Sequence, residues 1–161
     1  MNTKPKNNLV RMIRLAEEFF ATKKDPSQIS INRKVMLRLK RIHPNTMTEK
    51  STSKGPIAWI LVIPTTHTLM EQFITNKISE RELFKKNPLR IKYDSIYLCS
   101  ALVLPEYRGR GLARSLMIKA IKSIQKEHPI TYLFYWALSK EGKKLASSVA
   151  AEFSLPLYKR I

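Results

Sequence analysis

The chain has 161 residues, 43% hydrophobic and 26% charged, which suits one domain with a buried core, and its apolar runs are too short to span a bilayer. Thirty basic against 12 acidic residues leave a net charge of +18, spread along patterned segments rather than gathered in a tail; this bears on polyanionic partners and not on fold. One cysteine, Cys99, excludes an internal disulfide, three scattered histidines promise no metal site, and an N-terminus without an apolar segment reads as lacking a secretory signal, so a cytoplasmic protein with no membrane partner is expected.

In chain order, apolar residues recur at three- and four-residue steps from Leu9 to Phe20, which predicts an amphipathic helix ended by the stretch 23–27. A second helix is expected over 32–42, with Val35, Met36, Leu39 and Ile42 inward and Arg33, Lys34, Arg38, Lys40 and Arg41 on a solvated face; His43-Pro44 stops it. The polar stretch 45–54 reads as an edge strand or a loop. Gly55-Pro56 opens the apolar run Ile57–Ile63, which suits a strand buried on both faces and closed by Pro64. Residues 65–90 read as helical, with Leu69, Met70, Phe73 and Ile74 on one face. A second start lies at Ser79, because Glu82 three residues on completes a capping box.

Ile96–Leu104 is the best strand pattern in the chain and ends at Pro105. Leu112, Ala113, Leu116, Met117, Ala120, Ile121 and Ile124 form a clean helical stripe. His128-Pro129 breaks that helix, and the aromatic-rich run Ile130–Ala137 predicts another strand. Ser139 caps a helix to about Phe153, and the stretch 155–161 can add a last strand. The order is that of an α/β or α+β domain, expected as a single domain over 1–161.

Two of the four glycines, Gly109 and Gly111, fall between the best strand and the best helix, within Arg108-Gly109-Arg110-Gly111-Leu112-Ala113. A turn with little side-chain obstruction, the open N–H groups of a helix N-terminus and two arginines together favour an anion such as phosphate. No Gly-Lys-Ser/Thr occurs, which excludes a P-loop, and counting from Gly109 puts Arg114 where a dinucleotide fingerprint needs its third glycine.

With Val103 and Pro105 before it, the segment Arg108-x-x-Gly111-x-Ala113 resembles the acetyl-CoA-dependent N-acetyltransferases of the GNAT superfamily, over roughly residues 55–150. The resemblance implies a mixed, mainly antiparallel central sheet flanked by helices, with central strands that splay to admit the cofactor. It implies that Arg108, Gly109, Arg110, Gly111, Leu112 and Ala113 hold the pyrophosphate of acetyl-CoA, and that the backbone at Leu102 and Val103 pairs with the pantetheine arm and polarises the thioester. It also places Ser139, which opens the segment after the splayed strand, among the cofactor-binding residues. In that segment the family's proton-donating tyrosine corresponds to Ala146, so Tyr158, Tyr135, Tyr132 or solvent takes its place, Tyr158 ranking first. No strand pattern precedes the first helix, so the sheet is expected to be one strand short.

Acyl transfer to an amine needs a base, for which Glu71 and His67 are candidates, and the acid-rich set Glu71, Glu80, Glu82 and Asp94 is expected to wall the pocket of a small-molecule or peptide amine acceptor. The oligomeric state, monomer or homodimer, stays open. Cys99, Trp59 and the cluster Tyr132, Phe134, Tyr135 and Trp136 read as core, and His43 and His128 as capping or solvated residues. The competing function is a basic nucleic-acid- or ribosome-binding module on the same fold without acetyl transfer.

Overall fold

The computed structural model describes residues 8–19, 28–29, 32–136 and 139–161. Two helices, α1 (Asn8–Phe19) and α2 (Arg33–Ile42), precede a β-hairpin of β1 (Met47–Thr52) and β2 (Gly55–Thr65). Helices α3 (His67–Ile74) and α4 (Glu80–Lys86) lead to β3 (Ser95–Val103) and a short 3₁₀ turn at Pro105–Tyr107. The chain ends as α5 (Leu112–Gln125), β4 (Tyr132–Tyr135), α6 (Lys140–Phe153) and β5 (Leu157–Lys159).

Side-chain caps explain why several helices start where they do. The side chains of Asn32, Thr66 and Ser139 accept from the N–H groups of Val35, Leu69 and Gly142. The expected capping box is present, Ser79 and Glu82 bonding each other's backbone. Arg38 donates to the carbonyls of Lys85 and Asn87 (3.2 and 2.7 Å) and so ties α2 to the end of α4.

The five strands form one mixed sheet in the order β1-β2-β3-β4-β5, antiparallel across β1–β2 and β2–β3 and parallel across β3–β4 and β4–β5. The antiparallel pairs carry the longer ladders. Leu61 of β2 faces Ser100 while Val62 faces Leu98, which makes Cys99 the extra residue of a bulge in β3. Beside that bulge the β3–β4 pairing stops, at Leu98 opposite Tyr135, although β3 runs on to Val103. The central strands therefore splay. Below the splay Tyr97, Phe134 and Phe73 are buried together, with Tyr97 stacked on Phe134 at 5.1 Å and Phe73 4.9 Å from Tyr97. A second, smaller cluster of Met12, Ile57, Leu102 and Leu104 lies under α1.

Several expectations change. The polar stretch after His43 is a true edge strand. The run closed by Pro64 is longer than expected, because both prolines lie inside β2. Val62 donates to the Thr46 carbonyl (2.9 Å), so Pro64, two residues on, faces the same side, where β1 has not yet begun, and its carbonyl accepts from the Asn87 amide instead (2.8 Å). Strand β4 covers four residues of the expected eight, since β3 bends away from it at the bulge; Ala137 lies outside the described residues, as does the expected helix stop at 23–27. Met36 is 40% exposed rather than inward, the short α2 burying only Leu39 and Ile42. The expectation that no strand precedes α1 falls on residues 1–7, outside the described residues.

Candidate active site

The second half of β3 has one bonded edge and one open one. Leu104 donates to the Ile57 carbonyl (2.9 Å), and Trp59 stands opposite Leu102. By the alternation of an antiparallel ladder, the main-chain groups of Leu102 therefore turn toward β2, while those of Ala101 and Val103 turn to the side that β4 has left. The Leu102 side chain is buried with Met12, Ile57 and Leu104. Of the two residues expected to meet a cofactor arm, Val103 turns its main chain to the open side and Leu102 turns toward β2; Ala101 shares the open side with Val103. No feature of the sequence separates neighbours on a strand in this way, because the direction is set by register with β2.

The turn follows at once. Pro105–Tyr107 makes a single 3₁₀ turn, and Arg108 Nε reaches back to the Val103 carbonyl at 3.0 Å. The Arg110 guanidinium lies 5.3 Å above the Tyr107 ring. Gly109 and Gly111 have φ of +78° and +74°, and beyond the adjoining residues no atom lies within 4 Å of where a Cβ would stand on either. Gly111 is the N-cap of α5 and provides no side-chain cap, so the N–H groups at Leu112 and Ala113 have no intrahelical partner. Left-handed glycines, bare N–H groups, the positive end of a helix and two exposed guanidinium groups form a cradle for an anion.

The rim is fastened from α1. Arg11 forms a two-pronged pair with Glu106, 2.7 Å at each oxygen. Hydrogen bonding from Arg11 lowers the Glu106 carboxyl from an ordinary 4.5 to about 2. Arg114, by contrast, is tied to Ser148 (2.6 Å) and Glu152 (3.0 Å) of α6.

The remaining site candidates sit elsewhere. Ser139 caps α6, its hydroxyl engaged by Gly142. Ala146 is buried in α6. Glu71, 63% exposed, lies 3.6 Å from His67 Nε2; the His67 ring is 4.6 Å from Tyr132, and Tyr132 is 6.1 Å from Tyr158. Glu71, His67, Tyr132 and Tyr158 thus form one cluster, centred on the start of β4. None of the hydrogen bonds, ion pairs or ring contacts among the described residues joins it to the turn.

The acid-rich set does not wall a pocket as a unit. Glu82 closes its capping box, and Asp94 accepts from Ser95 (3.0 Å). Glu80, 8% exposed, accepts from the Ile29 N–H (3.0 Å) and the Tyr97 hydroxyl (2.6 Å), with Cys99 Sγ at 3.5 Å. Burial, more than the neighbouring Cys99 and Glu80, holds the Tyr97 hydroxyl well above the ordinary tyrosine range. Arg160 closes this layer, donating to the carbonyls of Phe73 and Ile78 (both 2.9 Å) and lying over the rings of Phe73 and Trp136. Sequence reading missed Glu80 as a buried carboxylate beside the bulge, because the start of a capped helix reads as exposed.

Comparison with known proteins fits this geometry. The Acetyltransferase (GNAT) family profile matches residues 50–146. No curated protein sequence matches the chain. Among solved structures, an aminoglycoside acetyltransferase from an uncultured soil metagenomic sample, in complex with trehalose, superposes with a TM-score of 0.51 at 14% identity, over 88% of this chain and 78% of that one. A ribosomal-protein-alanine N-acetyltransferase from Brucella melitensis biovar Abortus 2308 gives 0.41 at 10% identity, over 68% and 67%. At such identity the first likeness shows a shared fold and nothing about the acceptor. With its profile match, its splayed mixed sheet and its glycine turn between β3 and α5, the chain belongs to the GNAT family of acetyltransferases.

Proposed function

We propose that this chain is a single-domain enzyme, over 1–161, that transfers the acetyl group of acetyl-CoA directly to a primary amine. The observation that carries the reading is the pairing of an open β3 edge at Ala101 and Val103 with an unobstructed glycine turn at the N-terminus of α5. Acetyl-CoA supplies a thioester: the amine nitrogen bonds to its carbonyl carbon, the C–S bond breaks, and the thiolate takes up a proton. Arg108, Gly109, Arg110, Gly111, Leu112 and Ala113 hold the pyrophosphate. A main-chain N–H on the open edge stabilises charge on the thioester oxygen, and the fixed geometry brings the reactants together.

Glu71, with His67 beside it, is the proposed base and Tyr158 the proposed proton donor. Their grouping into one cluster with Tyr132 supports these roles. A polycationic acceptor such as an aminoglycoside suits this chain poorly, because the protein carries +18 and two of its central acids, Glu80 and Glu82, are committed to internal bonds.

Calorimetric titration with acetyl-CoA at moderate salt tests the reading, together with thiol release in the presence of amines and peptide N-termini. Saturable one-to-one binding with amine-dependent thiol release is expected. A chain that binds no acetyl-CoA, but binds RNA in a salt-sensitive way, would be a nucleic-acid module on this fold. If Tyr158→Phe turns over at the wild-type rate, Tyr158 leaves the mechanism.

A further inference from the structure

Helix α5 is 14 residues long, so its C-terminal end stands roughly 21 Å from the glycine turn. There a hollow of about 530 Å³ opens between the end of α2, the loop 90–92 and the residues after α5. A second hollow of about 500 Å³ shares Arg41 and Arg90 with the first.

Within the first hollow His43, Glu127 and His128 bring their ligand atoms within 4.8 Å of one another, a spacing that could suggest a metal. The hydrogen bonds argue otherwise. His43 Nδ1 accepts from the Asn45 N–H (3.0 Å) and His128 Nδ1 from the Tyr93 N–H (3.1 Å). Each neutral ring therefore carries its proton on Nε2 and presents a donor there instead of a lone pair. His43 gives that donor to Glu127, at 2.5 Å, and Lys92 donates to the Glu127 main-chain carbonyl at 2.8 Å.

The acid of the hollow is thus engaged, and the donors left facing it are the guanidinium groups of Arg41 and Arg90 and the ring N–H of His128. Neither arginine has an acidic partner among the described residues. The surroundings extend the same charge. Helix α2 holds Arg33, Lys34 and Lys40 and no acid at all, and α4 ends in Lys85 and Lys86 while Glu80 is buried and Glu82 caps its start. Arg38 locks these two basic helices into one surface.

We propose that this face is a second anion site, distinct from the glycine turn, that binds the phosphodiester backbone of a single-stranded nucleic acid with neighbouring phosphates at Arg41 and Arg90. Two adjoining hollows that share two guanidinium forks suit a ligand with repeated anions better than a lone phosphate. The basic residues of α2 and α4 continue the path beyond the two hollows, as a strand with successive phosphates requires.

The test uses the full chain and fluorescently labelled oligouridylate and oligothymidylate of about 20 nucleotides, read by anisotropy at increasing salt. Neutralising three to four phosphates predicts affinity falling roughly 20- to 50-fold between 50 and 200 mM salt. The double variant Arg41→Glu/Arg90→Glu should bind at least tenfold more weakly. A control with the same charge change on α6, Lys143→Glu/Lys144→Glu, should stay within about threefold of wild type.

Arg90 has φ of +60°, so Arg90→Gly removes the cation while relieving the backbone; it is the second variant should the double one lose its thermal midpoint, and it too must weaken binding. The two oligonucleotides tell RNA from DNA. Equal losses in the site and control variants, no binding to either strand, or binding to phosphatidylserine vesicles in place of oligonucleotide would each overturn the proposal. Acetyl-CoA binding is followed in the same samples: its loss in every protein would count against the acetyltransferase reading and leave the second site standing.

Discussion

Strand β3 is two different objects joined at Cys99. From Ser95 to Leu98 it is bonded on both edges and buried under Phe73 and Phe134; from Ser100 to Val103 it is bonded to β2 alone. One inserted residue makes the difference. The first half derives its stability from packing and offers no chemistry, whereas the second has main-chain groups to offer because it gives up a neighbour.

The largest effect expected from breaking this contrast lies in the first half. Phe134→Ala removes a ring that is fully buried and should cost about 3–5 kcal/mol of stability, read by chemical denaturation, while molecules that remain folded still bind acetyl-CoA. The second half should behave in the opposite way. Gly111→Ala places a methyl group into the empty cradle at φ +74° and should cost roughly 1–2 kcal/mol of stability, but calorimetry should show acetyl-CoA affinity falling by at least tenfold. A variant that loses stability and keeps its affinity would show that the ligand does not approach the turn backbone.

The smallest effect concerns the rim. The Glu106 carboxyl is lowered by Arg11 to about 2, so the pair's stabilisation is complete above the ordinary carboxylate value and is lost as pH falls through about 2. The thermal midpoints of wild type and Glu106→Gln should differ slightly at neutral pH and converge in acid; because the pair is exposed, a large difference would mean that α1 does more than brace the turn.

What the sequence disclosed follows the range of the interactions concerned. Pro105, Gly109, Gly111 and the apolar stripe of α5 act within a few residues of one another, so strand, turn and helix were legible, as was the capping box at Ser79. Whether the open edge belongs to Leu102 or Ala101 depends on register with Trp59, 43 positions before Leu102, and no local pattern carries that. The length of β4 was hidden for the same reason, since it ends where a bulge in another strand turns away. Glu80 and His43 are polar residues that tertiary contacts bury, and burial of a hydrogen-bonded polar group leaves no mark in hydrophobic periodicity.

An open edge in the middle of a sheet is also a hazard, because unpaired main-chain groups are a template for a strand from another molecule. Arg108 bears on this in a way separate from phosphate binding. By donating to the Val103 carbonyl it stoppers the end of the edge, and Pro105, lacking an N–H, gives an invading strand nothing to continue on. The edge thus stays open along Ala101 while a whole polypeptide is discouraged from pairing with it, and the arginine proposed to meet a phosphate also guards the sheet against its own kind.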